Sequence, residues 1–146
     1  SMNFRLQDIR ENMELSQKEV ADILKVSQPT YSRWEKEVEI IPLNKLILLA
    51  NYYGISLDYI CNLSNIKKES KAYNYKVDKK ISGNNIVTFR KEKNLTQKEL
   101  ALFLNTTPST VCAYEKGKTL ILTSFAYQIC KRYNVSMDYI CGITKD

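Results

Sequence analysis

The chain has 146 residues, 44% of them hydrophobic and 26% charged, with a net charge of +6, a length that suits one domain or two small ones. No apolar run approaches the roughly 18–20 residues of a membrane span, and no charged-then-apolar leader is present, so a cytoplasmic protein is expected, with Ser1 before Met2 read as a tag scar. Histidine is absent, which removes Ser/His and Cys/His hydrolytic machinery. With no Gly-rich phosphate loop or paired-carboxylate motif either, neither an enzyme nor a cofactor is expected.

Residues 3–13 place Phe4, Leu6, Ile9 and Met13 near one helical face and read as a first helix. Ser16 followed by Glu19 forms a capping box, opening a second helix with Val20, Ala21 and Leu24 on one face. That helix ends near Lys25, and Ser27 can cap a third running from Gln28 toward Lys36. Two short helices joined by about three or four residues make the outline of a helix-turn-helix. Pro42 marks a boundary before an apolar fourth helix stopped by Gly54, and Ser56 caps a short fifth. The first domain is therefore expected over residues 1–63.

Residues 64–83 break the helical pattern and are Lys-rich, ending in Ser82-Gly83. They read as a basic linker with Gly83 as a hinge, in which AYNYKV leans toward an extended segment against one domain. Beyond it the pattern returns with a constant offset of 80. Residues 4–64 aligned without a gap on 84–144 share 17 identities in 61 positions, about 28%. A period of that length is a tandem pair of domains, not a solenoid, which puts the second domain at 84–146.

Charge is uneven between the copies. Residues 1–63 hold seven Lys/Arg against nine Asp/Glu, residues 64–83 six against two, and residues 84–146 nine against five. The basic character lies in the middle and C-terminal parts, which favours a polyanionic partner, although a merely solvated surface gives the same count. Cys61, Cys112, Cys130 and Cys141 show no CxxC spacing, and Cys61 and Cys141 follow Asp-Tyr-Ile at equivalent positions. They read as small core residues, with no metal site expected.

The ordered set Arg10, Leu15–Ala21 (LSQKEVA), Val26-Ser27-Gln28, Ser32-Arg33-Trp34-Glu35 and residues 48–60 (LLANYYGISLDYI) resembles the Cro and phage-repressor-like, or XRE, helix-turn-helix proteins. Both copies match over nearly their full length. The resemblance implies an all-α chain of two tandem five-helix lambda-repressor-like domains that binds double-stranded DNA and regulates transcription, as a repressor. In the family, dimers on palindromic sites are common; here a monomer could cover two half-sites or a homodimer up to four. With no sensing domain expected after Thr144, regulation is expected from a protein partner, from concentration or from the tyrosine-rich surface (Tyr52, Tyr53, Tyr133).

In the family, the glutamine at the positions of Gln17 and Gln97 touches a DNA phosphate. From the residues alone, each is an N-terminal helix residue where an anion is favoured. Lys18 and Lys98 beside them supply general attraction. The third helix carries the reading groups Gln28, Pro29, Thr30, Ser32 and Arg33, followed by Lys36. Gln suits adenine and Arg suits guanine, each worth about 1–3 kcal/mol of discrimination. The plain alternative for Arg33 is a solvent-facing side chain or an intrahelical pair with Glu37. The matching positions of the second copy, Pro108, Ser109, Thr110, Cys112 and Ala113, lack such reach, and Lys116 and Lys118 follow them.

Two inferences remain open. In one, the first copy specifies sequence while the second and the linker supply phosphate affinity; in the other, one copy holds a dimer. Arg10 with Glu35, and Arg90 with Glu115, recur at a separation of 25 and in the family form partly buried ion pairs that orient the reading helix. Glu37 departs from the family, which places glycine there as Gly117 does; a left-handed helix end is less comfortable at Glu37, and Glu39 adds negative charge nearby. These carboxylates suit the rival reading, a helix-turn-helix fold redeployed as a protein-binding inhibitor.

Overall fold

The computed structural model describes residues 1–69 and 74–145, which fall into two compact units, Ser1–Asn74 and Tyr75–Asp146. Unit 1 contains α1 (Leu6–Asn12), α2 (Gln17–Leu24), α3 (Gln28–Glu35), α4 (Leu43–Tyr53) and α5 (Leu57–Ile60). Unit 2 contains β1 (Tyr75–Val77), α6 (Lys79–Glu92), α7 (Gln97–Leu104), α8 (Pro108–Glu115), α9 (Thr123–Tyr133), α10 (Met137–Ile140) and β2 (Ile143–Lys145). The chain is thus predominantly helical, a tandem of two five-helix units. None of its described helices is long and apolar enough to cross a membrane.

The helix starts follow from local chemistry. Ser16 accepts from the Glu19 N–H at 3.0 Å while the Ser16 N–H donates to Glu19 Oε1 at 3.0 Å. Thr96 and Glu99 reproduce the box at 3.0 and 2.9 Å. Each box satisfies two N–H groups that the first turn leaves without helical partners. Ser27 and Thr107 cap α3 and α8 by accepting from Thr30 and Thr110 at 3.2 Å. Pro29 and Pro108 sit in the first turns, where a missing N–H costs nothing. Gly54 ends α4 with φ 65°.

Each unit has its own core. Leu6, Ile9, Val20, Leu24, Tyr31, Leu46, Leu49, Leu57 and Ile60 are buried in unit 1, and Ile86, Phe89, Leu100, Leu104, Val111, Ala126, Ile129, Met137 and Ile140 in unit 2. Volumes trade between the copies. Phe89 replaces Ile9, while Val111 and Ala126 replace Tyr31 and Leu46, which keeps both interiors filled with different jigsaw pieces. Cys61, Cys130 and Cys141 are buried, and Cys112 is half-buried.

The structure differs from the linker expected over 64–83. Residues 70–73 lie outside the described residues, including part of AYNYKV. Before them, Lys67 O accepts from the Ser56 N–H at 2.9 Å and Ser64 O from Arg5 Nη1 at 2.8 Å, so this stretch lies against unit 1. After them, Tyr75–Val77 pairs antiparallel with Ile143–Lys145 as the opening strand of unit 2. Asp78 then caps α6, accepting from the N–H groups of Lys80 and Ile81 at 2.8 and 3.0 Å. Lysine is a good helix former, so a Lys-rich composition did not preclude a helix.

Gly83, read as a hinge, lies inside α6, and both it and Ser82 are buried. Ser82 Oγ donates to Ile140 O at 2.7 Å. A Cβ at Gly83 would come within 2.5 Å of Tyr114 O and 2.7 Å of Glu115 O. Close approach of α6 to the end of α8, not flexibility, is what requires glycine there.

Candidate nucleic-acid interface

In unit 1, α2 turns at Lys25, which takes φ 58°, and Ser27 restarts the chain as α3. Tyr31 and Trp34 point inward and are buried, their rings edge-to-face at 6.4 Å. Helical geometry therefore turns Pro29, Ser32, Arg33 and Lys36 to the opposite face. Gln28, Pro29 and Lys36 are exposed; Thr30, Ser32 and Arg33 are half-buried. The same arrangement in unit 2 presents Pro108, Ser109 and Lys116, with Thr110, Cys112 and Ala113 half-buried.

A partly buried ion pair fixes this pair of helices to the rest of each unit. Arg10 Nε donates to Glu35 Oε2 at 2.6 Å, Nη2 to Oε1 at 3.2 Å, and Nη1 to Leu15 O at 2.8 Å. The side chains are 12% and 2% exposed. Burial works against ionisation of Glu35, but hydrogen bonds from Arg10 and Gln17 and the Arg10 charge outweigh it, holding this carboxyl below its ordinary range. The hydrogen bond to Glu35 pushes the Arg10 guanidinium up in return. Unit 2 repeats the geometry, with Arg90 Nε on Glu115 Oε2 at 2.6 Å and Arg90 Nη1 on Leu95 O at 2.9 Å.

Gln17 and Gln97 are tied into these pairs. Gln17 Nε2 donates to Glu35 Oε1 at 3.0 Å, and Gln97 Nε2 to Glu115 Oε1 at 2.9 Å. Gln28 Nε2 donates to Gln17 Oε1 at 2.6 Å. The two glutamines singled out for phosphate and base contact thus form one chain of hydrogen bonds ending on the ion pair. In the free protein one amide proton of each remains for an external acceptor.

Arg33 is also held in place, by a different carboxylate from the one the sequence singles out. Its Nε donates to Glu39 Oε1 at 3.2 Å and its Nη2 to Thr30 Oγ1 at 3.3 Å. Glu37 points elsewhere. It takes the left-handed conformation with φ 56°, and its carboxylate accepts from the N–H groups of Asn3 and Phe4 at 3.2 and 3.4 Å and from the Ser1 hydroxyl. These bonds from the N-terminal segment offset the cost of a left-handed glutamate. Glu39 was missed as a partner because it lies beyond the helix, six positions from Arg33, where no helical periodicity applies.

The lysines divide by unit. Lys18 pairs with Asp22 one turn on, at 3.3 Å. Lys98, its counterpart, has Leu102 at that position, and among the described residues it has no ion pair. The turn after α3 carries Glu37 and Glu39, whereas the turn after α8 carries Lys116 and Lys118 around Gly117, at φ 70°. Among the described residues no group of three or more His, Cys, Asp or Glu is placed to hold a metal ion.

A family model described as Helix-turn-helix matches the chain twice, at residues 6–60 and 86–140. The uncharacterised HTH-type transcriptional regulator YobD of Bacillus subtilis (strain 168) is 33% identical over 60 residues, 41% of this chain and 54% of the relative. The chain thus spans about half the length of that curated relative. Two crystal structures of the clp gene regulator ClgR from Corynebacterium glutamicum are each 20% identical over 44% of this chain. They cover 69% and 84% of their own chains, with TM-scores of 0.40 and 0.39.

Proposed function

The chain belongs to the helix-turn-helix family whose model matches both of its units, and from that premise we propose that it binds double-stranded DNA sequence-specifically and represses transcription. In this reading the second helix of each helix-turn-helix, α3 in unit 1 and α8 in unit 2, enters the major groove. The carrying observation is the preorganised polar face of α3, on which Gln28 and Arg33 are both hydrogen-bonded in place. Side chains already fixed near their working geometry lose less freedom on binding. Arg33 reads guanine, Gln28 reads adenine, and Gln17 and Gln97 give their remaining amide protons to phosphates. Lys18, Lys36, Lys98, Lys116 and Lys118 supply the salt-dependent part of the affinity.

Unit 2 has weaker reading groups and stronger unpaired positive charge, which favours unit 1 as the source of specificity and unit 2 as the source of grip. Two units per chain let a monomer cover two half-sites and a homodimer four. Binding-site selection from a random duplex pool tests this reading. An enriched motif whose binding weakens with salt supports it, and absence of binding at low salt refutes it. In the Arg33→Ala variant, discrimination at one base pair should fall by about 1–3 kcal/mol, roughly 5- to 150-fold.

One observation favours a second reading. Leu102, on the outer face of α7, is 80% exposed where unit 1 has Asp22. An apolar side chain so placed suits contact with a protein, either a second copy or a regulatory partner. A chain that selects no duplex yet forms a defined complex lost in Leu102→Asp supports this alternative.

A further inference from the structure

We propose that Lys80, carried on the N-terminal extension of α6, joins Lys116 and Lys118 in a three-lysine clamp for the DNA phosphodiester backbone at the C-terminal end of α8. This rests on the DNA-binding reading above and assigns a contact to a residue that the sequence places in a linker. Helix α6 has 14 residues where α1 has seven, and it passes over the turn that follows α8. A Cβ at Gly117 would lie 3.1 Å from Lys80 Cα and 3.0 Å from its Cγ. Lys80 therefore sits directly on the turn between Lys116 and Lys118. One helical turn later, Gly83 presses the same face of α6 onto the carbonyls of Tyr114 and Glu115, which fixes the position of the extension.

Lys80 lies over Gly117, which Lys116 and Lys118 flank in sequence, so this turn gathers three positive charges whose mutual repulsion no ion pair among the described residues offsets. All three residues are exposed. A polyanion relieves that repulsion and releases counterions when it binds. A diester backbone, which presents one charge after another, suits three exposed lysines at the end of a helix offered to a groove better than a compact acidic ligand does. Unit 1 carries the opposite charge at this turn. Its matching turn carries Glu37 and Glu39, and the chain segment packed there is held by the Glu37 carboxylate. The competing role for Lys80 is structural, a cation near the carbonyl end of α8, and that role affects stability without altering how binding depends on salt.

The test measures affinity by fluorescence anisotropy for the selected duplex and a scrambled duplex, over about 50 to 200 mM salt. Lys80→Gln should flatten the slope of log K against log salt by about 0.9 on both duplexes while leaving their affinity ratio unchanged. Lys80→Arg should keep the wild-type slope, and Lys131→Gln, an exposed lysine of α9, serves as the net-charge control. A Lys80→Gln slope equal to wild type, or a flattening matched by Lys131→Gln, overturns the clamp alone. Wild-type protein that binds neither duplex overturns the functional reading and the clamp together.

Discussion

Replacing Gly83 by alanine sets two elementary effects against each other. Alanine in a helix interior is favoured over glycine by about 1 kcal/mol, so propensity alone predicts a more stable unit 2. The packing says the opposite. The new methyl would stand 2.5 Å from Tyr114 O and 2.7 Å from Glu115 O, both backbone atoms at the end of α8. Neither can swing aside like a side chain, so α6 must withdraw by about 0.5–1 Å to restore ordinary contact. A gap of that size forfeits a quarter to a half of each affected dispersion contact, and Ile86 and Phe89 ride on the same helix into the core. Overpacking of this kind costs about 1–3 kcal/mol or more beyond the propensity gain.

The expected net loss is about 2 kcal/mol, which lowers the melting temperature of a domain this size by roughly 8–16 °C. The chain contains one tryptophan, Trp34, buried in unit 1. Tryptophan fluorescence therefore follows unit 1 and far-UV circular dichroism follows both units. Gly83→Ala should lower part of the dichroism transition and leave the fluorescence transition in place. A dichroism transition that is unchanged or raised would refute the close-approach account of α6.

Asp78→Ala removes the cap of α6 and should destabilise unit 2 by about 1 kcal/mol in the same dichroism assay; no effect would mean that residues 78–83 are dispensable to its fold. Glu35→Gln leaves the partly buried Arg10 guanidinium without its counter-charge and should cost unit 1 about 3 kcal/mol, read from the Trp34 urea midpoint. Glu35 has its folded pKa lowered, so its contribution is present above the unfolded value of about 4.3 and disappears as pH falls through the folded value. The wild-type midpoint should accordingly drop more steeply on acidification than that of the variant, and parallel curves would refute the assignment. Glu39→Gln removes a negative charge beside the DNA-facing turn while its amide oxygen can still accept from Arg33. The exposed pair is worth about 0–1 kcal/mol, so stability should hardly change while DNA affinity at low salt rises by roughly 2- to 5-fold as repulsion of the phosphates is lost. That gain should shrink as salt is added; an unchanged affinity would show that the Glu39 carboxylate does not face the phosphates.

Much of the fold was legible because its signals are local. The Ser16/Glu19 and Thr96/Glu99 capping boxes, the Ser27 and Ser56 caps and the Gly54 stop are each set by residues within one helical turn, and the offset of 80 exposed the duplication. The Arg10–Glu35 and Arg90–Glu115 pairs came from the family resemblance. What escaped was non-local. Gly83 looks like a hinge in sequence, and only the proximity of Tyr114 and Glu115, tens of residues away, makes it a spacer, as Ile140 makes its neighbour Ser82 a donor. Glu37 looked like a misplaced carboxylate until the N-terminal segment was found bonded to it. The partners of Gln17 and Arg33 depended on side-chain choices among several carboxylates, which periodicity does not rank.

The small sheet of unit 2 bears on how that unit assembles. Lys76 and Thr144, paired across it, are 68 residues apart in sequence. Helices form from near neighbours within about a microsecond, but a pairing over that span must await closure of a long loop. The two strands therefore join only after the five helices between them have condensed. With three residues each they add little to a native state already packed, so they should also part early under denaturant. Amide exchange at the strand positions would report an opening distinct from global unfolding, an event for which unit 1, without strands among its described residues, has no equivalent.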